Sequence, residues 1–286
     1  MINLQTRISR ELHVQPGIDP RDTIEAIVGF LCSYLVSSKS TGFVLGISGG
    51  QDSSLCGRLG QLAVTRARES SESAAWPANT APSFWALRLP YGRQVDEEDA
   101  LLAIEFINPD HLATIDIKPA VDATAMATEL ATGLVISDFD RGNIKARQRM
   151  IVQYAVASAQ RLLVLGTDHA AEAVTGFYTK HGDGACDITP MAGLTKRQGK
   201  QLLMALGAPP RLYEKVPTAD LEDLNPLVPD ELVLEMTYEQ IDDYLEGKVV
   251  DPKVAERLQA RYLSSAHKRS MPATRFSWSG DTSIEL

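Results

Sequence analysis

The sequence predicts an α/β protein in which an open parallel sheet carries helices on both faces. Short apolar runs typical of buried parallel strands recur along the chain, and segments with helical spacing of apolar residues separate them. Strands that alternate with helices in this way form parallel sheets. Ligands of such sheets bind beyond the carboxyl ends of the strands, so we expect a site in the loops there.

The elements are predicted in order along the chain. The segment up to Ser38 is predicted to be helical, with Asp22 and Thr23 as the capping residues at its start. The predicted strands cover residues 42–47, 84–89, 112–117 and 162–166. One predicted helix contains Leu55, and another begins near Ala170. The other predicted helices cover residues 99–107, 119–132, 143–160, 238–246 and 252–265. Residues 69–82, rich in Ser, Ala, Asn and Pro, indicate an exposed connector without chemistry.

Charge and cysteine usage exclude several classes of protein. The 37 acidic and 28 basic residues give a net charge of -9, which disfavours binding to nucleic acid through phosphate neutralisation. The three cysteines form no CxxC pair, so neither a disulfide framework nor a structural zinc site is indicated. No apolar run is long enough for a membrane span, and the start of the chain lacks the pattern of a signal peptide. We therefore expect a cytoplasmic protein that does not bind a membrane.

The turn after the first strand carries the strongest local signal, in the run Gly46-Ile47-Ser48-Gly49-Gly50-Gln51-Asp52-Ser53. Its glycines permit close approach to a ligand, and the helix that follows favours phosphate at its amino end. The turn is neither a Walker A loop nor a GxGxxG fingerprint. An aspartate beside phosphates indicates a bound cation, so Asp52 is a candidate Mg²⁺ ligand. The alternative is a tight strand-to-helix turn in which Asp52 only interacts favourably with the helix dipole.

The run from Ser48 to Ser53 resembles the SGGxDS loop of the N-type ATP pyrophosphatases. These Rossmann-like enzymes cleave ATP between the α and β phosphates and adenylate a carbonyl or carboxyl oxygen. Three later segments resemble the NAD synthetase family within that group, and they cover residues 141–150, 165–176 and 180–199. The resemblance extends from about residue 22 to Pro272, so we expect one domain over residues 1–286. Within it we expect N-terminal helices (1–40), a nucleotide-binding core (41–207) and a C-terminal loop with helices (208–286).

The resemblance implies roles for particular residues. Its implied catalytic residues are Asp52, Glu172, Asp183 and Lys196, and its implied Mg²⁺ ligands are Asp52 and Glu172. The implied ATP contacts are Gly46, Ile47, Ser48, Gly49, Gly50, Gln51, Asp52, Ser53, Arg88, Gln94, Thr167, Lys196 and Thr218. The implied deamido-NAD contacts are Tyr34, Phe139, Asn143, Arg147, Tyr154, Lys180, Asp187, His267 and Lys268.

Simpler structural explanations exist for several of these residues. The basic run 141–150 could be a solvated helix face, and Thr167 or Asp168 could cap a helix. His169 and Glu172 could be an ordinary i,i+3 surface pair. Near the carboxyl terminus, fraying is the usual expectation for His267 and Lys268.

The resemblance implies an ammonia-dependent NAD synthetase, which amidates deamido-NAD with ATP through an acyl adenylate and releases AMP and pyrophosphate. It also implies a homodimer. The sheet motif begins by residue 42, so we expect no glutaminase domain and free ammonia as the nitrogen source. Two alternatives remain: a ligase of the same group acting on another substrate, such as in GMP synthesis or tRNA thiolation, and a regulator that binds ATP without turnover.

Overall fold

The computed structural model describes residues 3–69, 76, 81–92, 97–218 and 228–276. Its strands are β1 (Gly42–Gly46), β2 (Ser83–Arg88), β3 (His111–Thr114) and β4 (Leu163–Val164). They form a parallel sheet in the order β3-β2-β1-β4. The predicted open parallel sheet is confirmed, although β4 has two residues where the sequence predicts five.

Helices account for most of the remaining described residues. They are α1 (Leu4–Glu11), α2 (Pro20–Ser38), α3 (Gln51–Glu69), α4 (Glu97–Ile107), α5 (Lys118–Thr132), α6 (Asp138–Gln160), α7 (Ala170–Thr175), α8 (Lys196–Ala205), α9 (Arg211–Glu214), α10 (Asp230–Leu234), α11 (Tyr238–Leu245), α12 (Pro252–Ser264) and α13 (Ala266–Arg269). The predicted caps of α2 are wrong. Asp19 caps this helix, because its carboxylate accepts hydrogen bonds from the backbone amides of Arg21 and Asp22.

Successive residues of β1 face opposite sides of the sheet, and helices cover both sides. Phe43 and Leu45 join a hydrophobic core with α2, α3 and α8. Val44 faces the other way and joins a second core with α5 and α6. This arrangement confirms the predicted helices on both faces.

A third hydrophobic cluster lies apart from these two cores. It joins α1, α7, α10, α11 and α12, with Ile8, Val174 and Ile241 among its buried side chains. We call these five helices the helical cap. The cap adjoins the sheet layers through α7, which follows β4, and through α11, which contacts α8.

The segment between α3 and β2 differs from its prediction. Trp76 is buried within the core of α2 and α3, and its indole Nε1 donates a hydrogen bond to the backbone oxygen of Ser40 at 2.8 Å. The prediction of an exposed connector is therefore wrong at this residue, while residues 70–75 and 77–80 lie outside the described part. Among the described helices, none has the length and hydropathy that crossing a bilayer would require.

Candidate functional site

The candidate site lies where the order of strands reverses. From β1 the chain continues to β2 and β3 on one side of the sheet, whereas β4 lies on the other side of β1. The loops that leave β1 and β4 therefore diverge and open a crevice at the carboxyl edge of the sheet. The first loop contains residues 48–50, here called the Ser-Gly-Gly turn, and the second contains residues 165–169.

The Ser-Gly-Gly turn is held closed by its own hydroxyls. Ser48 Oγ lies 3.0 Å from Ser53 Oγ and accepts from the amide of Gly50 at 3.3 Å. Gly49 has φ +84°, and a Cβ there would lie 2.5 Å from the backbone nitrogen of Ala100. Position 49 thus requires glycine both for its backbone conformation and for the close approach of α4.

Several predicted ATP contacts also support the turn. Gly46 N donates to the side chain of Gln153, and Ile47 N donates to a carbonyl of β2, both at 2.8 Å. The Gln51 side chain donates to the backbone oxygen of Lys196 at 2.9 Å. These bonds fix the start of α3 against the sheet and against α8.

Asp52 lies at the centre of the crevice, in the first turn of α3. Lys196 Nζ donates to Asp52 Oδ2 at 2.7 Å, and His169 Nε2 lies 3.5 Å from Asp52 Oδ1. Burial by itself raises the pKa of Asp52, but the positive charge of the Lys196 ammonium acts in the opposite direction. The pKa of this carboxyl is held well below its usual range, so Asp52 is ionised.

Glu172, in α7, faces the same space and has the opposite shift. Burial, followed by the nearby charges of Asp52 and Asp168, raises its pKa well above the ordinary value. The pKa of Asp168 is raised to about 7 by burial, by Asp183 and by Asp52. Like charges are therefore concentrated here, and Lys196 offsets them only in part.

This constellation fits a divalent cation. Asp52, His169 and Glu172 each offer a ligand atom, and these atoms lie within 4.8 Å of one another. Carboxylate oxygens are the ligands that Mg²⁺ prefers in proteins. Burial is the main cause of the raised pKa of Glu172, and a cation would offset the repulsion from Asp52 and Asp168 that adds to it.

Lys196 is positioned by contacts that the sequence analysis did not identify. Thr195 and Gln198 form a capping box at the start of α8. Asp242 of α11 accepts from the backbone amides of Lys196, at 3.1 Å, and Arg197, at 2.7 Å. Burial raises the pKa of Asp242 to about 6. No sequence signal separates Asp242 from the other acidic residues of α11.

One group of predicted deamido-NAD contacts lies around the loop after α7. Its members are Asn143, Arg147, Lys180, His267 and Lys268. Asn143 Oδ1 accepts from the hydroxyl of Thr179 at 2.9 Å, and Arg147 donates to the backbone oxygen of Lys180 at 3.4 Å. Lys268 Nζ donates to two carbonyls of this loop, at 2.8 and 2.7 Å. The bonds tie α6 and α13 to the loop.

A second group lies towards the amino ends of β1 and β4. Tyr154 donates to Asp187 Oδ1 at 3.2 Å, and Asp187 Oδ2 accepts from the amide of Val164 at 2.8 Å. Tyr154 and Asp187 line a cleft of about 310 Å³ with Lys39 and Arg161. Two further predicted contacts are exposed, namely Tyr34 on α2 and Phe139 on α6. The structure thus places seven of the nine predicted deamido-NAD residues in two groups, with Tyr34 and Phe139 exposed on their helices.

The remaining predicted site residues lie at several separate places in the structure. Thr167 lies in the loop after β4, and Asp183 accepts from a backbone amide of its own loop at 2.8 Å. Arg88 donates to a carboxylate at the start of α4 at 3.0 Å. Thr218 forms a backbone bridge with the residue before α10. Gln94 lies outside the described residues.

Comparison with known proteins agrees with this geometry. The family model described as NAD synthase matches residues 23–272. The NH(3)-dependent NAD(+) synthetase of Deinococcus radiodurans is 56% identical over 273 residues, which cover 96% of this chain and 92% of that protein. The crystal structure of NAD+ synthetase from Burkholderia pseudomallei is 48% identical, with a TM-score of 0.78 over 94% of this chain and 96% of its own. The structure of NMN synthetase from Francisella tularensis is 33% identical, with a TM-score of 0.76 over 90% and 99% of the two chains. The parallel sheet places Asp52 and Glu172 where its strand order reverses, and the family model matches most of the chain. This chain belongs to the NAD synthase family.

Proposed function

We propose that this chain is an ammonia-dependent NAD synthetase that converts deamido-NAD, ATP and ammonia into NAD, AMP and pyrophosphate. The observation that carries the proposal is the match to the Deinococcus enzyme, which extends through both loops of the crevice. A ligase of this kind needs a phosphate site beside a charge-neutralising centre. The Ser-Gly-Gly turn and the Asp52–Lys196 pair meet that requirement.

The crevice provides the groups that adenylation requires. The amides at the start of α3, the hydroxyls of Ser48 and Ser53, and Lys196 hold the β and γ phosphates of ATP. Asp52 and Glu172 hold Mg²⁺, which neutralises phosphate charge when it is bound. The nicotinate carboxylate of deamido-NAD attacks the α-phosphorus, its oxygen forms the new P–O bond, and pyrophosphate leaves.

Amide formation follows on the acyl adenylate. Ammonia attacks the activated carbonyl carbon, one proton passes to a base, and AMP leaves with the electrons of the broken C–O bond. Asp183, in the loop after α7, is the proposed proton acceptor, and burial raises its pKa. The protein contributes mainly orientation, charge neutralisation and exclusion of water from the mixed anhydride.

Deamido-NAD is proposed to bind through both groups of residues described above. The cations Arg147, Lys180 and Lys268 suit its phosphates and its carboxylate. Tyr34 and Phe139 are exposed on α2 and α6, with further apolar side chains exposed on the same helices. A homodimer that covers these side chains is proposed, and the enzyme is expected to act in the cytoplasm.

The test is to incubate the protein with deamido-NAD, ATP, Mg²⁺ and ammonium and to measure products by mass spectrometry. NAD, AMP and pyrophosphate are expected in equal amounts, and formation of ADP in place of AMP would refute adenylation. Nicotinate mononucleotide should be tested in parallel, because the NMN synthetase of Francisella has a similar structure. Preference for the mononucleotide would assign the activity of that relative instead.

A further inference from the structure

His169 lies in the crevice beside Asp52 and Glu172, and the proposed reaction assigns it no role. It lies between the loop after β4 and the start of α7, and only 4% of its surface is exposed. Among the described residues, neither of its ring nitrogens has a hydrogen-bond partner. Buried polar atoms are almost always satisfied in native proteins, so two unsatisfied nitrogens on one buried ring require an explanation.

The ring is directed at the two proposed cation ligands. His169 Nε2 lies 3.5 Å from Asp52 Oδ1 and 4.0 Å from Glu172 Oε1. Two atoms that share one cation at bond lengths of about 2.1 Å are about 3 Å apart when adjacent and about 4.2 Å apart when opposite. Both measured separations fall between these limits, and the ligand atoms of all three residues lie within 4.8 Å of one another.

The environment of His169 also leaves a lone pair available. Lys196 Nζ contacts the other oxygen of Asp52, Oδ2, so the oxygen nearest the imidazole remains free of that ion pair. Because Nδ1 also lacks a partner among the described residues, no hydrogen bond there requires Nε2 to carry the ring proton. Nε2 can therefore act as a ligand.

We propose that His169 is a third protein ligand of the cation held by Asp52 and Glu172, which makes the centre a mixed nitrogen-and-oxygen site. This inference rests on the proposed function for the presence of the cation. Imidazole is a better ligand for Mn²⁺ and the later transition metals than for Mg²⁺, which prefers oxygen. The centre therefore favours Mn²⁺ over Mg²⁺ more strongly than Asp52 and Glu172 alone would, and His169 determines that preference.

The test uses the complete protein with Mn²⁺ alone, without nucleotide, so that no adenine nitrogen is present. Pulsed EPR of bound Mn²⁺ is expected to show coupling to one directly bound ¹⁴N, and labelling of the histidines with ¹⁵N is expected to replace it with ¹⁵N coupling. This measurement is made on the unmodified sequence and does not depend on a variant that folds.

The variant His169→Gln is expected to lose the nitrogen coupling and to bind Mn²⁺ at least about tenfold more weakly, with a much smaller change in Mg²⁺ affinity. His111→Gln is the matched control, because His111 lies in the edge strand β3, where it stacks on Trp85 of β2. It is expected to retain both the coupling and the affinity.

The other outcomes separate this inference from the proposed function. Bound Mn²⁺ without nitrogen coupling would overturn the role of His169 and leave the two-carboxylate centre intact. Failure to bind Mn²⁺ at all would overturn the cation centre as well. Failure of the unmodified enzyme to make NAD from deamido-NAD would refute the proposed function, whatever the EPR result.

Discussion

Lys196 Nζ and Asp52 Oδ2 lie 2.7 Å apart, although 144 positions separate the two residues in the sequence. The contact joins the first turns of α8 and α3, so the amino ends of two helices are directed at the same crevice. Each end carries a partial positive charge, although Asp242 and Thr195 already accept from the first three amides of α8. The two helix ends and the Lys196 ammonium therefore offset part of the negative charge of the acidic side chains in the crevice.

Replacement of Lys196 by methionine should remove the positive charge that compensates both Asp52 and the phosphates of ATP. We expect kcat/KM for ATP to fall by roughly 100- to 1,000-fold. The control is Lys200→Met on the same helix, whose ammonium lies over the ring of Tyr213. Steady-state kinetics should show little change for Lys200→Met, and an equal loss in both variants would assign the effect to α8 as a whole.

Replacement of Glu172 by glutamine should stabilise the protein when no metal is bound. The pKa of Glu172 is raised by burial, by Asp52 and by Asp168, so the folded state holds this proton more tightly than the unfolded state. The stability of the unmodified protein therefore falls as pH rises from the ordinary glutamate pKa through the raised value. Glutamine carries no charge at any pH and avoids this loss.

The measurement for Glu172→Gln is thermal unfolding with EDTA at pH 8 and at pH 5. At pH 8 the variant is expected to have a higher Tm than the unmodified protein, by roughly 2 to 4 °C for each kcal/mol gained in the free energy of unfolding. The difference in Tm should narrow at pH 5. Added Mg²⁺ or Mn²⁺ should raise the Tm of the unmodified protein and have less effect on the variant. A lower Tm at pH 8 would contradict the repulsion described here.

Asp242 should act as a positioning residue for Lys196, because its carboxylate accepts from the first two amides of α8. Asp242→Ala is expected to raise KM for ATP several-fold and to lower stability by about 1–3 kcal/mol, since it leaves buried amides without a partner. Asp242→Asn keeps one acceptor oxygen and should restore part of the ATP affinity. Loss of stability with unchanged KM in both variants would limit Asp242 to a structural role.

Gly49→Ala should disrupt the Ser-Gly-Gly turn, because the added Cβ would meet the backbone of α4 at 2.5 Å in addition to straining a φ of +84°. Gly133 provides a matched control, with φ +71° and no atom within 4 Å of an added Cβ. Gly133→Ala should cost about 1 kcal/mol in the free energy of unfolding. Denaturant titrations should give a larger loss for Gly49→Ala, together with loss of ATP turnover, and equal losses would rule out the steric effect.

Local patterns in the sequence were sufficient to predict the sheet and the position of the crevice. The run of apolar residues in β1 and the Ser-Gly-Gly turn are contiguous, so their geometry follows from neighbouring residues. The separate carboxylates Asp52 and Glu172 were paired by family resemblance, and the structure places both at the crevice.

The contacts that position Lys196 could not be predicted from local sequence. Asp242 lies 46 positions from Lys196, and it acts through backbone amides that no sequence pattern marks. The burial of Trp76 does not follow from local sequence either, because its neighbours in the sequence are polar and small while the core it joins includes residues of α2 and α3. In both cases tertiary packing determines the role of the side chain.

The helix α8 joins the sheet layers to the helical cap, which also adjoins the sheet through α7. Its Leu202 and Leu203 are buried with the sheet, while its amino end is held by Asp242 of the helical cap. A small rotation of the cap would therefore displace the Lys196 ammonium relative to Asp52 without any change in the sheet. Substitutions that change the packing between the cap and the sheet, even far from the crevice, would therefore alter how closely the Lys196 ammonium approaches the phosphates of ATP.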